Sequence, residues 1–207
     1  MPTQSEILYL KGEEKMLEEG VKIGFAMSGS FCTFSKAFAA AKLLTEQGAE
    51  LIPIMSYNAA GISTRFGTAE ENINKFENIT GKKVIKTIAE AEPIGPKKMC
   101  DIMVVAPCTA NSLAKLALGI TDSPLTMAVK SHLRNLKPVV IAVSTNDALA
   151  GCAKNIGILQ NYRNYYFVPY SQDNYEKKPN SIVADFDMIP QTVELALKGI
   201  QIQPLIK

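Results

Sequence analysis

Short apolar runs alternate with longer amphipathic stretches along most of this chain. Runs rich in valine and isoleucine predict buried strands at Val21–Met27, Glu50–Met55, Asp101–Ala106, Pro138–Val143 and Tyr165–Pro169, with a weaker one at Val84–Lys86. Apolar residues at helical spacing predict helices at Ser35–Gln47, Glu70–Ile79, Ala110–Leu118, Pro124–Leu133, Gly151–Tyr162 and Ile189–Leu197. Because strands and helices alternate, we expect an α/β fold with one parallel sheet. The predicted architecture is a Rossmann-like doubly wound sheet of about six strands in the order 3-2-1-4-5-6, with helices on both faces.

The chain divides into a short leading segment and one domain. Residues 1–20 are charged and weakly periodic, which indicates an N-terminal extension, and residues 21–207 form the single predicted domain. The net charge of +2 gives no sign of a nucleic-acid-binding face. No apolar run has the length of a membrane span, and no signal peptide is recognisable. We therefore expect a cytoplasmic protein without nucleic-acid or membrane partners.

The cysteines and the single histidine do not indicate a metal site. The four cysteines lie far apart in the chain, with no Cys-x-x-Cys pair, and the only histidine is His132. This is too few ligands at the wrong spacing for a zinc site, so no metal is expected. In a reducing compartment the cysteines are predicted to act as small apolar residues. We expect His132 to lie on a helix surface or at an interface.

Two polar loops follow the first and fourth predicted strands. In the expected strand order these strands are neighbours and the winding reverses between them, so both loops should meet at the carboxyl edge of the sheet. Small hydroxyls, a glycine without a Cβ and new helix N-termini suit a phosphate, and an asparagine amide suits a flat polar ring. The alternative is that these residues only cap helices. The candidate cofactor-binding residues are Ser28, Gly29, Ser30, Ser56, Pro107, Cys108, Thr109 and Asn111.

A nicotinamide dinucleotide site in the same place is the main rival hypothesis. Such a site needs Gly-x-Gly-x-x-Gly after the first strand and a carboxylate at the end of the second. Gly24 and Gly29 have the wrong spacing, and the second strand ends in Ile54-Met55-Ser56 without an acid. The sequence therefore argues against direct dinucleotide binding, and Ser56 is better suited to a phosphate than to a ribose.

The stretch Pro107–Ser112 resembles the Pro-Ala-Ser-Ala-Asn-Thr signature of the flavin-containing cysteine decarboxylases and the prenyl-flavin synthases. Members of that flavoprotein family are homo-oligomers, based on trimers, that hold FMN between the loops after the first and fourth strands. The resemblance implies FMN as the cofactor, with Ser28 and Ser30 near its phosphate and Thr109 and Asn111 near its ring. The decarboxylases place a catalytic histidine just after the first loop. Here Phe31-Cys32-Thr33 occupies that position, which argues against cysteine decarboxylation.

Further motifs, among them Ser63–Gly67, Glu92–Lys98 and Val143–Leu149, resemble one branch of this family, a subunit found in spore-forming bacteria. In that branch the subunit acts with a second, dehydrogenase-like subunit to convert a hydroxylated tetrahydrodipicolinate-type intermediate into dipicolinate, with an NADP-type acceptor. The resemblance implies an oxidoreductase subunit used in sporulation, a small dicarboxylate substrate and NADP bound through the partner. Two alternatives stay open: a stand-alone FMN-dependent decarboxylase or prenyl-transfer enzyme, and a non-catalytic activating subunit with a vestigial flavin site.

No catalytic residue is evident from the motifs, but three side chains are candidates. Asn146 follows the fifth strand and offers an amide to a substrate carboxylate, and the neighbouring Asp147 could act as a base. Arg65, after the second strand, could bind a carboxylate through two parallel bonds. The structural alternative for Asp147 is a helix cap. The structural alternative for Arg65 is a solvated or ion-paired side chain. The polar segment Tyr170–Ser181 either closes over the site, reaches a neighbouring subunit or forms a surface loop.

Overall fold

The computed structural model describes residues 17–207. The strands of this part are β1 (Lys22–Met27), β2 (Glu50–Met55), β3 (Ile102–Cys108), β4 (Val139–Thr145), β5 (Tyr165–Phe167), β6 (Tyr170–Gln172) and β7 (Ile182–Ala184). Its helices are α1 (Phe34–Glu46), α2 (Tyr57–Gly61), α3 (Ala69–Thr80), α4 (Ile88–Ala91), α5 (Ala110–Leu118), α6 (Pro124–Leu133), α7 (Ala153–Asn161) and α8 (Ile189–Leu197). Within these residues no helix combines the length and apolar character needed to cross a membrane.

The central sheet is parallel and has the predicted strand order. β1 lies between β2 and β3, β4 follows β3, and β5 pairs with the far edge of β4. Beyond β2, Ile85 forms a parallel bridge to Ile54. The expected order 3-2-1-4-5-6 and the α/β class are therefore confirmed, but the third strand is only a single-residue bridge. The N–H groups on either side of Ile85, at Val84 and Lys86, bond to glutamate carboxylates instead of a neighbouring strand.

Two layers of helices enclose the sheet. α1 packs against α3 and α8, whereas α5 packs against α6 and α7, as a doubly wound sheet requires. Every residue of β3 is buried, and β1 and β4 are buried over most of their length, which explains their unbroken apolar sequences. Leu17 belongs to the same core. Most of the predicted extension, residues 1–16, lies outside the described residues, so the boundary at residue 20 stays a prediction.

Two segments for which no helix or strand was predicted contain regular structure. The chain after β2 forms the short helix α2, because the Ser56 hydroxyl accepts a hydrogen bond from the Ala59 N–H (3.2 Å) and caps it. The polar segment after Tyr170 is the antiparallel hairpin β6–β7, and β7 also pairs with the carboxyl end of β4. Strands of three residues bury too few apolar side chains to show a period-two pattern in the sequence.

The expectation that His132 lies on a helix surface or at an interface is wrong. Its ring is fully buried under α6; Nε2 donates to the Pro138 carbonyl (3.0 Å), and Nδ1 lies 3.4 Å from the Cys100 thiol. Burial lowers the pKa of His132 to about 4 and raises that of Cys100 to about 11. His132 shares the apolar face of α6 with Leu125 and Val129, at helical spacing, and this spacing is the signal for its burial in the sequence.

Candidate functional site

Ser28 joins the loops that follow β1 and β3. Its Oγ donates to the Pro107 carbonyl (2.8 Å) and accepts from the backbone N–H of Thr109 (2.9 Å), while its own N–H donates to the same carbonyl (3.1 Å). The side chain is buried, and its single hydroxyl proton is already committed. Ser28 thus holds the two loops side by side, behind the surface that a ligand would meet.

Three hydroxyl groups form a connected cluster in front of Ser28. The Thr33 Oγ1 donates to the Ser30 carbonyl (2.9 Å), and the Ser144 Oγ lies 3.2 Å from the Thr33 Oγ1 and 2.9 Å from the Ser30 Oγ. Because each hydroxyl has one proton, Ser144 must donate to Thr33, and Ser30 must donate to Ser144. Ser30 is the most exposed of the three. Its hydroxyl can therefore turn to a ligand without disturbing the other two bonds.

The cluster forms part of a cavity of about 440 Å³ at the carboxyl edge of β1, β3 and β4. This volume lies within the range of about 300–1,000 Å³ that is usual for small-ligand sites. The loops after these three strands supply most of the wall, and α1 and the β6–β7 hairpin supply the rest. The lining residues are Gly29, Ser30, Cys32, Thr33, Lys36, Thr109, Ala110, Asn111, Ser144, Thr145, Asn146, Asp173, Lys178 and Val183.

The charged side chains that line the cavity are Lys36, Lys178 and Asp173. The Lys178 Nζ lies 2.8 Å from the Asp173 Oδ2, and this hydrogen bond raises the pKa of Lys178. Lys36 lies in the first turn of α1, next to the hydroxyl cluster, where the helix N-terminus adds its partial positive charge. Two cations against one anion make the cavity suitable for an anionic ligand.

The structure brings four of the eight predicted binding residues together at this cavity. Gly29, Ser30, Thr109 and Asn111 line it, and so does the catalytic candidate Asn146. They share one edge of the sheet because the strands that precede them, β1, β3 and β4, are adjacent.

The remaining predicted binding residues lie behind or beside the cavity. Ser28, Pro107 and Cys108 are under its floor, where burial raises the pKa of the Cys108 thiol. Ser56 caps α2, but its N–H donates to the Met27 carbonyl (3.0 Å), so it stays close to the first loop.

The other two catalytic candidates are outside the cavity. The Asp147 Oδ1 accepts the Gly151 N–H (3.1 Å) and orders the turn before α7. Arg65 is exposed and stacks over the Phe66 ring, 4.9 Å from its centroid. The exposure of Arg65 matches the solvated side chain considered for it, whereas Asp147 orders a turn and does not cap α7, whose N-cap is Cys152.

Sequence reasoning missed several groups that line the cavity. Ser144 and Thr33 are 111 positions apart, so their contact depends on the fold and has no local signature. Lys178 and Asp173 lie in the segment for which a lid was one of three hypotheses, and they do face the cavity. Within residues 17–207, no group of three His, Cys, Asp or Glu side chains is placed to hold a metal ion.

The fold and the two-loop cavity define a class of protein: the profile of the flavoprotein family matches residues 11–188, and this chain belongs to that family. The chain is 45% identical over 188 residues to the B subunit of dipicolinate synthase from Bacillus subtilis (strain 168), covering 91% of this chain and 94% of that protein. The crystal structure of the corresponding B subunit from Bacillus halodurans C matches with a TM-score of 0.84 and 43% identity, covering 91% of this chain and 97% of that one.

A more distant structure shares the fold. The FMN-dependent cysteine decarboxylase SpaF matches with a TM-score of 0.64 and 23% identity, over 86% of this chain and 96% of that one. The resemblance inferred from the loop motifs is therefore confirmed, both for the family and for the branch represented by the two Bacillus proteins.

Proposed function

We propose that this chain binds FMN in the cavity and serves as the B subunit of a dipicolinate synthase, an oxidoreductase of sporulation. The observation that carries the proposal is the meeting of the Ser28–Thr33 and Pro107–Ser112 loops at one cationic cavity. The similarity to the two Bacillus dipicolinate synthase proteins supports the assignment of the reaction. A dehydrogenase-like A subunit would bind NADP, and the pair would convert a hydroxylated tetrahydrodipicolinate-type intermediate into dipicolinate.

The residues present fit the two ends of FMN. Ser30 offers a hydroxyl to the phosphate, Lys36 offers a cation, and the start of α1 adds a helix N-terminus. Asn111 offers an amide to the polar edge of the ring, and the neighbouring Thr109 lines the same wall with a hydroxyl that donates to the Ser112 Oγ (3.2 Å). The bound flavin would supply electron-accepting chemistry, while the protein side chains orient it and bind the substrate.

The substrate carboxylates are assigned to the part of the cavity that follows β4. Asn146 lines it, and its Oδ1 accepts from the Ser181 hydroxyl (3.4 Å), which leaves the amide NH₂ free to donate. The contacts of Arg65 and Asp147 support structural roles instead of catalysis.

The surroundings of the chain are part of the same proposal. All four cysteines are free thiols and three are buried, which supports a reducing compartment such as the cytoplasm. Leu118, Ile120 and Tyr162 are exposed around a groove of about 410 Å³ beside α5 and α6. Apolar side chains grouped in this way support a subunit interface, consistent with a homo-oligomer, trimer-based as in the family.

Reconstitution tests this function. The purified chain is combined with a dehydrogenase-type A subunit, the hydroxylated intermediate and NADP, and dipicolinate is measured with the chain loaded with FMN and stripped of it. Formation that requires both subunits and falls on removal of FMN is the expected result. Equal rates with stripped chain would instead show an activating subunit with a vestigial site, and turnover without the partner would show a stand-alone flavin enzyme.

A further inference from the structure

The mouth of the cavity holds an ion pair to which the proposed FMN pose gives no role. Asp173 and Lys178 both line the cavity, and their charged atoms lie 2.8 Å apart. Their side chains are 39% and 51% exposed, so solvent screens the attraction and the pair contributes little to the stability of the fold. The pair thus places two charges on the wall of the cavity that are only weakly held to each other.

The loop that carries this pair, residues 173–181, is well organised. The Asn174 side chain accepts the N–H of Lys177 (2.9 Å), and its carbonyl accepts the N–H of Lys178 (2.7 Å). At the other end of the loop, the Ser181 hydroxyl donates to Asn146 (3.4 Å), and β7 pairs with the end of β4. Lys178 is consequently held beside the part of the cavity that follows β4.

The two lysines of the cavity belong to different elements, Lys36 to α1 and Lys178 to the loop between β6 and β7. Lys36 is next to the hydroxyl cluster, at the N-terminus of α1, where the proposed phosphate lies. Lys178 is tied through its loop to Asn146, on the side assigned to the substrate. A dicarboxylate carries two negative charges, and a neutral amide alone does not compensate them, whereas an ammonium forms a strong charge-assisted bond to a carboxylate.

We propose that Lys178 recognises the substrate: it leaves Asp173 and pairs with a carboxylate of the bound dicarboxylate. Asp173 then competes with the substrate for the same ammonium group and returns to water when the substrate binds. Because the resting pair is exposed, this exchange of partners has a low cost. The inference rests on the proposed function of the cavity. It adds that Lys178 is the residue that binds a negatively charged group of the substrate.

Calorimetric titration of dipicolinate into the full chain tests this inference, with FMN present and with FMN absent. Lys178→Ala is expected to weaken binding about tenfold, the usual effect of losing a bond to a charged group. Asp173→Asn removes the competitor and is expected to strengthen binding severalfold. Lys177→Ala is the matched control, because Lys177 is the neighbouring exposed lysine and does not line the cavity.

The inference predicts that the two variants change the affinity for dipicolinate in opposite directions. If the pair only stabilised the loop, both variants would weaken binding together, and that result would overturn the inference. Failure of the unaltered chain to bind dipicolinate would overturn it as well. FMN titration of the same variants separates the two proposals. Lys178→Ala is expected to bind FMN normally, and a chain that binds dipicolinate through Lys178 but never binds FMN would refute the proposed function alone.

Discussion

Replacement of Ser28 by alanine tests whether this buried serine holds the two loops together. A residue that only contacts a ligand would contribute much less to the free energy of unfolding. The Thr109 N–H would lose its buried acceptor, at a cost of about 1–3 kcal/mol, and the Pro107 carbonyl would lose its shorter hydrogen bond, worth about 1 kcal/mol. We expect Ser28→Ala to lower the free energy of unfolding by about 3 kcal/mol. For a chain of this length that corresponds to a fall in Tm of about 6–12 °C.

Ser30→Ala is the matched control for this measurement. Ser30 is only partly buried, and its removal leaves the Ser144–Thr33 bond in place, so the expected loss is under about 1 kcal/mol. Denaturant unfolding of both variants at one protein concentration, without FMN, compares them directly. A loss below about 0.5 kcal/mol for Ser28→Ala would refute the argument that this serine holds the loops together.

Two further predictions concern the fold around the site. A Cβ at Gly95 would lie 2.0 Å from the Ser131 carbonyl oxygen, so Gly95→Ala should destabilise the chain by about 3 kcal/mol in denaturant unfolding, whereas Gly157→Ala in open space should stabilise α7 by about 0.5–1 kcal/mol. His132 has a pKa lowered to about 4, so its contribution to stability should hold above pH 6.5 and fall by about 3 kcal/mol towards pH 4. The slope should be shallower by that amount in His132→Gln, where carboxylates with lowered pKa values, such as Glu77 and Asp101, still titrate.

The sequence predicted those parts of the fold that depend on local patterns. The strands β1, β3 and β4 are buried on both faces and therefore appear as apolar runs. Thr109 and Gly119 cap the two ends of α5, and the φ of 70° at Gly119 suits glycine. The strand order followed from the alternation of elements. Because that order places the first and fourth strands side by side, the meeting of the two loops could be predicted as well.

Details that depend on contacts between distant segments could not be predicted from the sequence. Whether Ser28 faces a ligand or joins two loops is decided by the Pro107 and Thr109 backbone, 79 and 81 positions away. The approach of Lys178 to the cavity depends on the β6–β7 hairpin, whose strands are too short to leave a pattern.

Titration of FMN into the purified chain tests the central claim, that the loops after β1 and β3 form one flavin-phosphate site. We predict one FMN per chain and about tenfold weaker binding in Ser30→Ala and in Lys36→Ala, as expected for a lost bond to a charged phosphate. Lys75→Ala, an exposed lysine away from the cavity, should bind as the unaltered chain does. A chain that takes up no FMN, or binds it equally in all variants, would contradict the claim.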